Sequence, residues 1–357
     1  MTFSASVQYA NEVLQHGFGD GAGSVASVQP VSPGMSGAQV YRVTTRSGEA
    51  FALKCYPAMA TLDRVQEIHR VMQAARSAGC ELVPRLISAQ GSRVPATAIR
   101  YRTECWELVT WMPGNALDRS VDSGPLLAAV SQGAAAIARF HQAARSLGTQ
   151  VQVPLCIRSR QSRIAEVSPL LRSLLTRDLD CVANPLLRQT VALAVDRLRD
   201  RWHAVSRNAM TSLEALSRTK VPCSYVLRDC HREHVFFTEF QNHGSTTRSV
   251  SGIIDMDAVR MDAAAADLAR WTGSFVKNGI SVHQLWDAAV AGYRLESSLK
   301  VQQEALAREL APISAWISLA NWAIWLLLEQ RRFPVADEAI LRRIEHLIEV
   351  VDRFETE

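Results

Sequence analysis

The period of apolar and polar residues changes several times along this chain. Residues 6–16 carry amphipathic helical spacing, which the glycines at 17, 19, 21 and 23 break. From about residue 27 to 56 the period falls to two. Val40, Arg42 and Thr44 alternate with Tyr41, Val43 and Thr45, residues 51–56 alternate again, and 46–49 read as the turn between them. Residues 62–78 return to helical spacing and stop near Gly79, and 97–111 read as two more strands, ended by Pro113-Gly114. Beyond Leu117 the pattern is mostly helical, over 126–144, 160–175, 185–216 and 282–299. Two short strands, near 235–237 and 251–254, interrupt it, with the polar stretch 241–248 as a hairpin connection. This order predicts an α+β chain of two lobes: a small β-rich lobe with one helix, residues 1–114, and a larger, mainly helical lobe, residues 115–357.

Composition narrows the classes. With 357 residues, 48% hydrophobic and 21% charged, the chain is long enough for two cores and too apolar to be largely disordered. Its 39 Lys+Arg against 35 Asp+Glu give a formal charge of +4, small for a dedicated nucleic-acid binder, so no nucleic-acid partner is expected. The seven cysteines are scattered and contain no C-x-x-C pair, which argues against a disulfide framework or zinc ribbon and fits a reducing cytoplasm. Residues 1–23 lack the basic start and apolar core of a signal peptide. Residues 313–328 are strongly apolar but short of the roughly 20 needed to span a bilayer. They contain Ser314, Ser318 and Asn321, and a buried helix with Trp316, Trp322 and Trp325 in its core-facing stripe is expected rather than a membrane segment.

Three segments place charge where strands or turns would present it. Lys54 lies in an otherwise apolar strand on the face of Ala52, either reaching solvent at an edge or meeting an anion such as phosphate. Residues 225–237, Y-V-L-R-D-C-H-R-E-H-V-F-F, set a dense polar cluster between apolar flanks, the pattern of a catalytic loop ahead of a short strand. His231 and His234 are three apart, but they do not form the H-E-x-x-H order of a zinc protease. In residues 252–262, G-I-I-D-M-D-A-V-R-M-D, an apolar strand runs into Asp255 and Asp257, which suits a hard divalent cation or a solvated turn.

Taken together, a strand lysine, a loop aspartate and an aspartate after the next strand form the set used in phosphoryl transfer. Here the sequence resembles the aminoglycoside phosphotransferase and choline-kinase-like superfamily, of protein-kinase-like fold. The family loop H-G-D-x-H-x-x-N is matched at Asp229 and His231, and the family segment I-D-F/W-[DE]…G-D-P…D-L-A is matched at residues 254–257, 261–263 and 267–269. Residues 33–43 resemble its nucleotide-covering loop, 106–114 its adenine-holding hinge, and 138–141 its L-A-x-L-H helix. The resemblance implies ATP-dependent transfer of the γ-phosphoryl group to a hydroxyl of a small molecule. Lys54, Gly34, Ser36, Gly37, Ala52, Val109 and Trp111 would surround the nucleotide, and Glu67 on helix 62–78, with Asp63 the alternative, would pair with Lys54. Asp229 would take or orient the hydroxyl proton, and Asp255, with Asp257, would hold Mg²⁺. Acidic residues near Asp229 would suit an aminated acceptor. The chain departs from the family at His234, which stands where an asparagine amide would meet the metal and which imidazole chemistry would tilt toward Mn²⁺. It departs again at Leu227-Arg228, in place of H-G, and at Met261 and Ala263 around Asp262. Arg228 is expected to pair with a carboxylate or help neutralise phosphate, and Asp262 to accept hydrogen bonds. These departures leave a nucleotide-binding pseudokinase or non-catalytic binding module as the alternative.

Overall fold

The computed structural model describes residues 3–357 except 20–22, 33, 36, 91–95, 119–120, 243–244 and 278, and excepting the side chains of 3–5 and 241–246. Five antiparallel strands, β1 (Val25–Pro30), β2 (Gln39–Thr45), β3 (Ala50–Cys55), β4 (Ala98–Tyr101) and β5 (Glu104–Thr110), lie in the order β1-β2-β3-β5-β4. Helix α1 (Phe3–Phe18) covers one face and α2 (Leu62–Ser77) the other. This explains the unbroken apolar run in β5. Trp106 and Leu108 pack with α1, whereas Cys105 and Val109 join the core that contains α2. Glu107 shares the face of Cys105 and Val109, so it points toward α2 and is nearly as buried. On β3, Phe51, Leu53 and Cys55 face inward while Ala52 and Lys54 line the opposite, partly open face. Helix α2 starts where the Thr61 hydroxyl accepts from the Arg64 N–H and stops just before Gly79, whose φ is +88°.

The larger lobe follows. Its elements are β6 (Asn115–Ala116), α3 (Ser123–Ala144), β7 (Gln150–Gln152), α4 (Leu155–Leu175), α5 (Pro185–Ser217), β8 (Val221–Val226), β9 (Val235–Asn242), β10 (Ser245–Ile253) and β11 (Arg260–Asp262), then α6 (Ala265–Gly273), α7 (Val282–Glu296), α8 (Val301–Ala323) and α9 (Asp337–Thr356). Two three-stranded sheets, β10-β9-β6 and β11-β8-β7, carry the functional loops: the loop β8–β9 holds Asp229 and the loop β10–β11 holds Asp255. Gly114 sits where the lobes join, at φ +85°, and a Cβ there would lie 2.3 Å from the Phe237 carbonyl oxygen, so any side chain would part β6 from β9. Helix α3 is centred on a run of alanines. Its Gly133 lets the Trp271 ring of α6 lie against the backbone, where a Cβ would come within 2.0 Å of that ring.

The strands around the hairpin are longer than the sequence pattern suggested. The helix α9 was not expected, although Ile340, Ile344, Leu347 and Val351 are buried at helical spacing. The stretch Val301–Leu328 is long and apolar enough by composition to cross a membrane, and 67% of its most apolar window is buried within the fold. Trp316 and Trp322 are buried there, and Trp322, Trp325 and Phe333 form an aromatic cluster. Six of the seven cysteines are buried and Cys181 is exposed.

Candidate active site

Lys54 is the cation of the cleft. Its Nζ lies 2.6 Å from Asp257 Oδ1 and 3.2 Å from Asp255 Oδ1. Burial disfavours its charge, but the two carboxylates outweigh burial and hold the ammonium above its ordinary value. The aspartates diverge. Burial raises both, but the Lys54 charge and hydrogen bond carry Asp255 below its ordinary range, whereas Asp257, next to the Asp255 charge, stays above it despite Lys54. Asp255 has φ +59°, a left-handed conformation that a short polar side chain tolerates and that turns its carboxylate into the cleft.

The expected Lys54–Glu67 pair does not form. Glu67 binds Arg64 at 2.5 Å and lies 3.7 Å from Arg260. The reason is the rotation of α2, which turns His69 toward the sheet. His69 Nε2 lies 2.6 Å from Glu107, whose carboxylate also accepts from the Tyr56 hydroxyl at 2.9 Å. Glu107 stands directly across from Lys54 in the β3–β5 register. Burial would raise its carboxyl, but the His69 hydrogen bond and charge, then Lys54, hold it below the usual range. Arg64 also reaches from α2 to the Asp257 and Val259 carbonyls, tying the helix to the aspartate segment.

His234 answers the departure noted in the catalytic loop. Its Nδ1 lies 2.8 Å from the Asp229 carbonyl oxygen, which can only accept, so Nδ1 carries the proton. The lone pair is then on Nε2, which sits 3.5 Å from Asp255 Oδ2. His231 has the opposite tautomer, because its Nδ1 accepts from the Glu233 N–H at 3.3 Å. The ligand atoms of Asp229, His231 and His234 lie within 4.8 Å of one another. The His231 hydrogen bond makes Nε2 of His234 with Asp255 the better pair of donors. One nitrogen and nearby carboxylates fit Mg²⁺ or, better, Mn²⁺.

Asp229 is half exposed, and its Oδ1 accepts from Arg270 Nε at 2.7 Å. The loop beneath it is held by buried carboxylates. Asp267 accepts from the backbone N–H groups of Leu227 and Arg228, at 2.7 and 2.5 Å, and from His141 Nε2 at 2.8 Å. His141 is placed in turn by the Tyr293 hydroxyl, and burial raises Tyr293 to about 12. Asp262 accepts from the Cys156 and Ala263 N–H groups and faces Arg228 Nε at 3.2 Å, as the expected structural acceptor. Arg228 has φ +66°, and this network holds it there.

Three cavities meet along this line. The first, about 260 Å³, is lined by Gly34, Ala52, Lys54, Val109 and Trp111, with Phe236 and Ile254 contributed from the larger lobe. The Trp111 N–H donates to the Ala50 carbonyl, and its ring lies under the Arg42 guanidinium. Gly37 lies in the same β1–β2 loop at φ +79° but outside this lining, and Ser36 falls outside the described residues. The second cavity, about 550 Å³, shares Gly34 and Asp255 with the first and contains Asp229 and His234. The third, about 570 Å³, shares Asp229 and Arg270 with the second. Its lining has one carboxylate, Asp229, against six arginines, the reverse of the acidic lining that would suit an aminated acceptor.

The structure thus brings Lys54, Asp229, His234, Asp255 and Asp257 to one line and leaves Glu67 aside. Sequence reasoning missed Glu107, although a lone charge within an apolar strand is the same signal that singled out Lys54. It also missed Arg270, whose partner is 41 residues away and leaves no local trace.

The family model for the phosphotransferase enzyme family matches residues 27–294. No curated protein sequence matches the chain. Among solved structures, a spectinomycin phosphotransferase in complex with ADP and spectinomycin is similar, with TM-score 0.61 and 13% identity over 98% of each chain. A microcompartment-associated aminopropanol kinase gives TM-score 0.56 and 14% identity, covering 98% of this chain and 96% of its own. An aminoglycoside phosphotransferase from Alicyclobacillus acidocaldarius gives 0.53 and 14%, covering 91% and 90%. With three quarters of its length under one family model, and with a small antiparallel lobe facing a helical lobe across the aspartate cleft, the chain belongs to the phosphotransferase enzyme family and has the protein-kinase-like fold.

Proposed function

We propose that this protein transfers the γ-phosphoryl group of ATP to a hydroxyl of a small molecule. The observation that carries the reading is the continuity of the three cavities, with Asp255 where the first two meet and Asp229 where the last two meet. The purine would lie between Ala52 and Phe236, and Lys54 would turn from the aspartates to the phosphates. Asp255 and His234 Nε2, with Asp257 beside them, would hold a divalent cation, which when bound neutralises phosphate charge. Arg270 holds Oδ1 of Asp229, so Oδ2 receives the acceptor's proton. The acceptor oxygen bonds to the γ-phosphorus, the bond from that phosphorus to the β–γ bridging oxygen breaks, and ADP leaves with the bond's electron pair. The chain's contribution is alignment and charge, not covalent chemistry.

Calorimetry with Mg²⁺·ATP and Mn²⁺·ATP on wild type and Asp255→Ala tests the nucleotide half. Metal-dependent binding lost in the variant is the expected result, and no binding to wild type with either metal overturns the reading. Acceptor-dependent ADP release, lowered roughly 10²- to 10⁴-fold in Asp229→Asn, tests the transfer half and separates an enzyme from a binding module.

A further inference from the structure

The third cavity has an unusual wall for an acceptor site. Arg160 and Arg163 project from one face of α4, Arg228 and Arg260 flank the two functional loops, Arg270 comes from α6 and Arg343 from α9. These elements are far apart in sequence, so the arginines converge through the fold and not through a local basic run. Several are held in place on their Nε side. Arg160 Nε donates to the Ser314 hydroxyl at 2.9 Å, Arg163 Nε to the Asn321 side-chain oxygen at 2.7 Å, and Arg228 Nε faces Asp262. Arg163 Nη1 also pairs with the exposed Glu166 at 2.8 Å, a partner an incoming anion would compete with. Arg160 is distinctive. Its partners are neutral, Ser314 and the Cys156 carbonyl, and among the described residues no carboxylate lies within ion-pair distance of it. Burial lowers its guanidinium from the ordinary value and the Arg228 and Arg270 charges add to this, with Asp262 partly offsetting the loss, so the group remains a desolvated cation in a wall of cations. Such a group favours a bidentate anion and disfavours an ammonium.

We propose that the acceptor is an anionic, hydroxylated small molecule, with a carboxylate or phosphate received by the Arg160–Arg163 wall while its hydroxyl lies against Asp229. This deepens the phosphotransferase reading and rests on it. The geometry supports the assignment, since Asp229 and Arg270 occupy the end of the cavity next to the nucleotide side and the α4 arginines another wall, so a polar ligand is gripped by one group and presented by another. A cationic amino sugar would meet one carboxylate, already bonded to Arg270, and six guanidinium groups.

The test is binding by the full chain, with saturating Mg²⁺·ADP and without nucleotide, of four matched probes: glucose, glucosamine, glucuronate and glucose 6-phosphate. Both anions should bind at least tenfold more tightly than glucose, and glucosamine least. Their ranking tells carboxylate from phosphate. Arg160→Gln and Arg163→Gln should each weaken the preferred anion by on the order of 10- to 100-fold, as expected for hydrogen bonds to a charged group. Arg160→Lys should restore part of it, and ADP affinity should be unchanged in all three. Thermal melting of each variant checks folding, and Arg163, partly exposed, stands in if Arg160→Gln fails to fold. Glucose or glucosamine binding as well as the anions, binding of neither anion, or anion binding indifferent to both arginines overturns the proposal. Failure of ADP binding overturns the phosphotransferase reading instead, and leaves the nucleotide-free anion titration to decide this one.

Discussion

Four aspartates fall within thirteen residues, at 255, 257, 262 and 267, and the fold treats them as two pairs. Asp255 and Asp257 keep about a third of their surface and share one side-chain cation, Lys54. Asp262 and Asp267 have no exposed surface and, besides Arg228 and His141 respectively, are each bonded to two backbone N–H groups, which cannot leave. A carboxylate whose partners are side chains can exchange them for a metal or phosphate, whereas one whose partners are amides fixes a loop. The same residue type thus serves chemistry in one pair and architecture in the other, and the identity of the hydrogen-bond donors tells them apart.

The comparison yields measurements that would break or sharpen it. The largest effect on rate is expected at Asp229, the exposed carboxylate at the acceptor: Asp229→Asn should lower kcat by roughly 10²- to 10⁴-fold. Its stability in urea should change by no more than about 1 kcal/mol, since a half-exposed pair with Arg270 is all that is lost. Asp267→Ala should do the reverse, costing about 3–5 kcal/mol by leaving His141 and two loop amides without their buried acceptor. An Asp267 variant of unchanged stability would erase the distinction between the two pairs.

Asp255→Asn should reduce kcat/KM by about 10²- to 10³-fold while barely moving the urea midpoint. Alongside it, His234→Asn should shift the preferred cation from Mn²⁺ toward Mg²⁺, since an amide oxygen replaces a ring nitrogen. A metal preference indifferent to position 234 would remove His234 from the cation site.

Acid unfolding sharpens the contrast further. A carboxyl held below its ordinary value adds stability above that value and loses it as pH falls; one held above it has the opposite sign. Asp255 and Asp257 are shifted in opposite directions, so their contributions offset one another. Glu107, buried and depressed from 4.5, acts in one direction, and Glu107→Gln should flatten the fall of melting temperature below pH 4.5. The smallest effect belongs to Glu67. Bonded to Arg64 and Arg260 at the surface, Glu67→Gln should change stability by no more than about 0.5 kcal/mol and activity less than threefold.

What could be read in the sequence follows the range of the interaction. Lys54, Asp229 and Asp255 stand out because each is a charge set against an apolar strand, a local contrast visible without the fold. The partners of Lys54 do not, because Asp255 and Asp257 lie 201 and 203 residues away, and whether α2 offers Glu67 or His69 to the sheet depends on a helix rotation the local pattern leaves open. The tautomer of His234 depends on one carbonyl five residues upstream and becomes legible only when the loop closes. The arginine wall is hidden most deeply, since its members lie up to 183 residues apart and share a surface only after α4, α6 and α9 pack. A formal charge of +4 for the whole chain says nothing of such local concentration.

The cysteines carry a practical consequence. Burial pushes the thiols of Cys156 and Cys230 well up, Cys55 to about 12 and Cys223 to about 11, so these four are both shielded and scarcely ionised at neutral pH. Cys181, in the short turn between α4 and α5, faces solvent. The native chain is therefore its own single-attachment variant. A maleimide dye added under non-denaturing conditions should couple at one position, giving a fluorescent handle on the helical lobe without the replacement of a single residue.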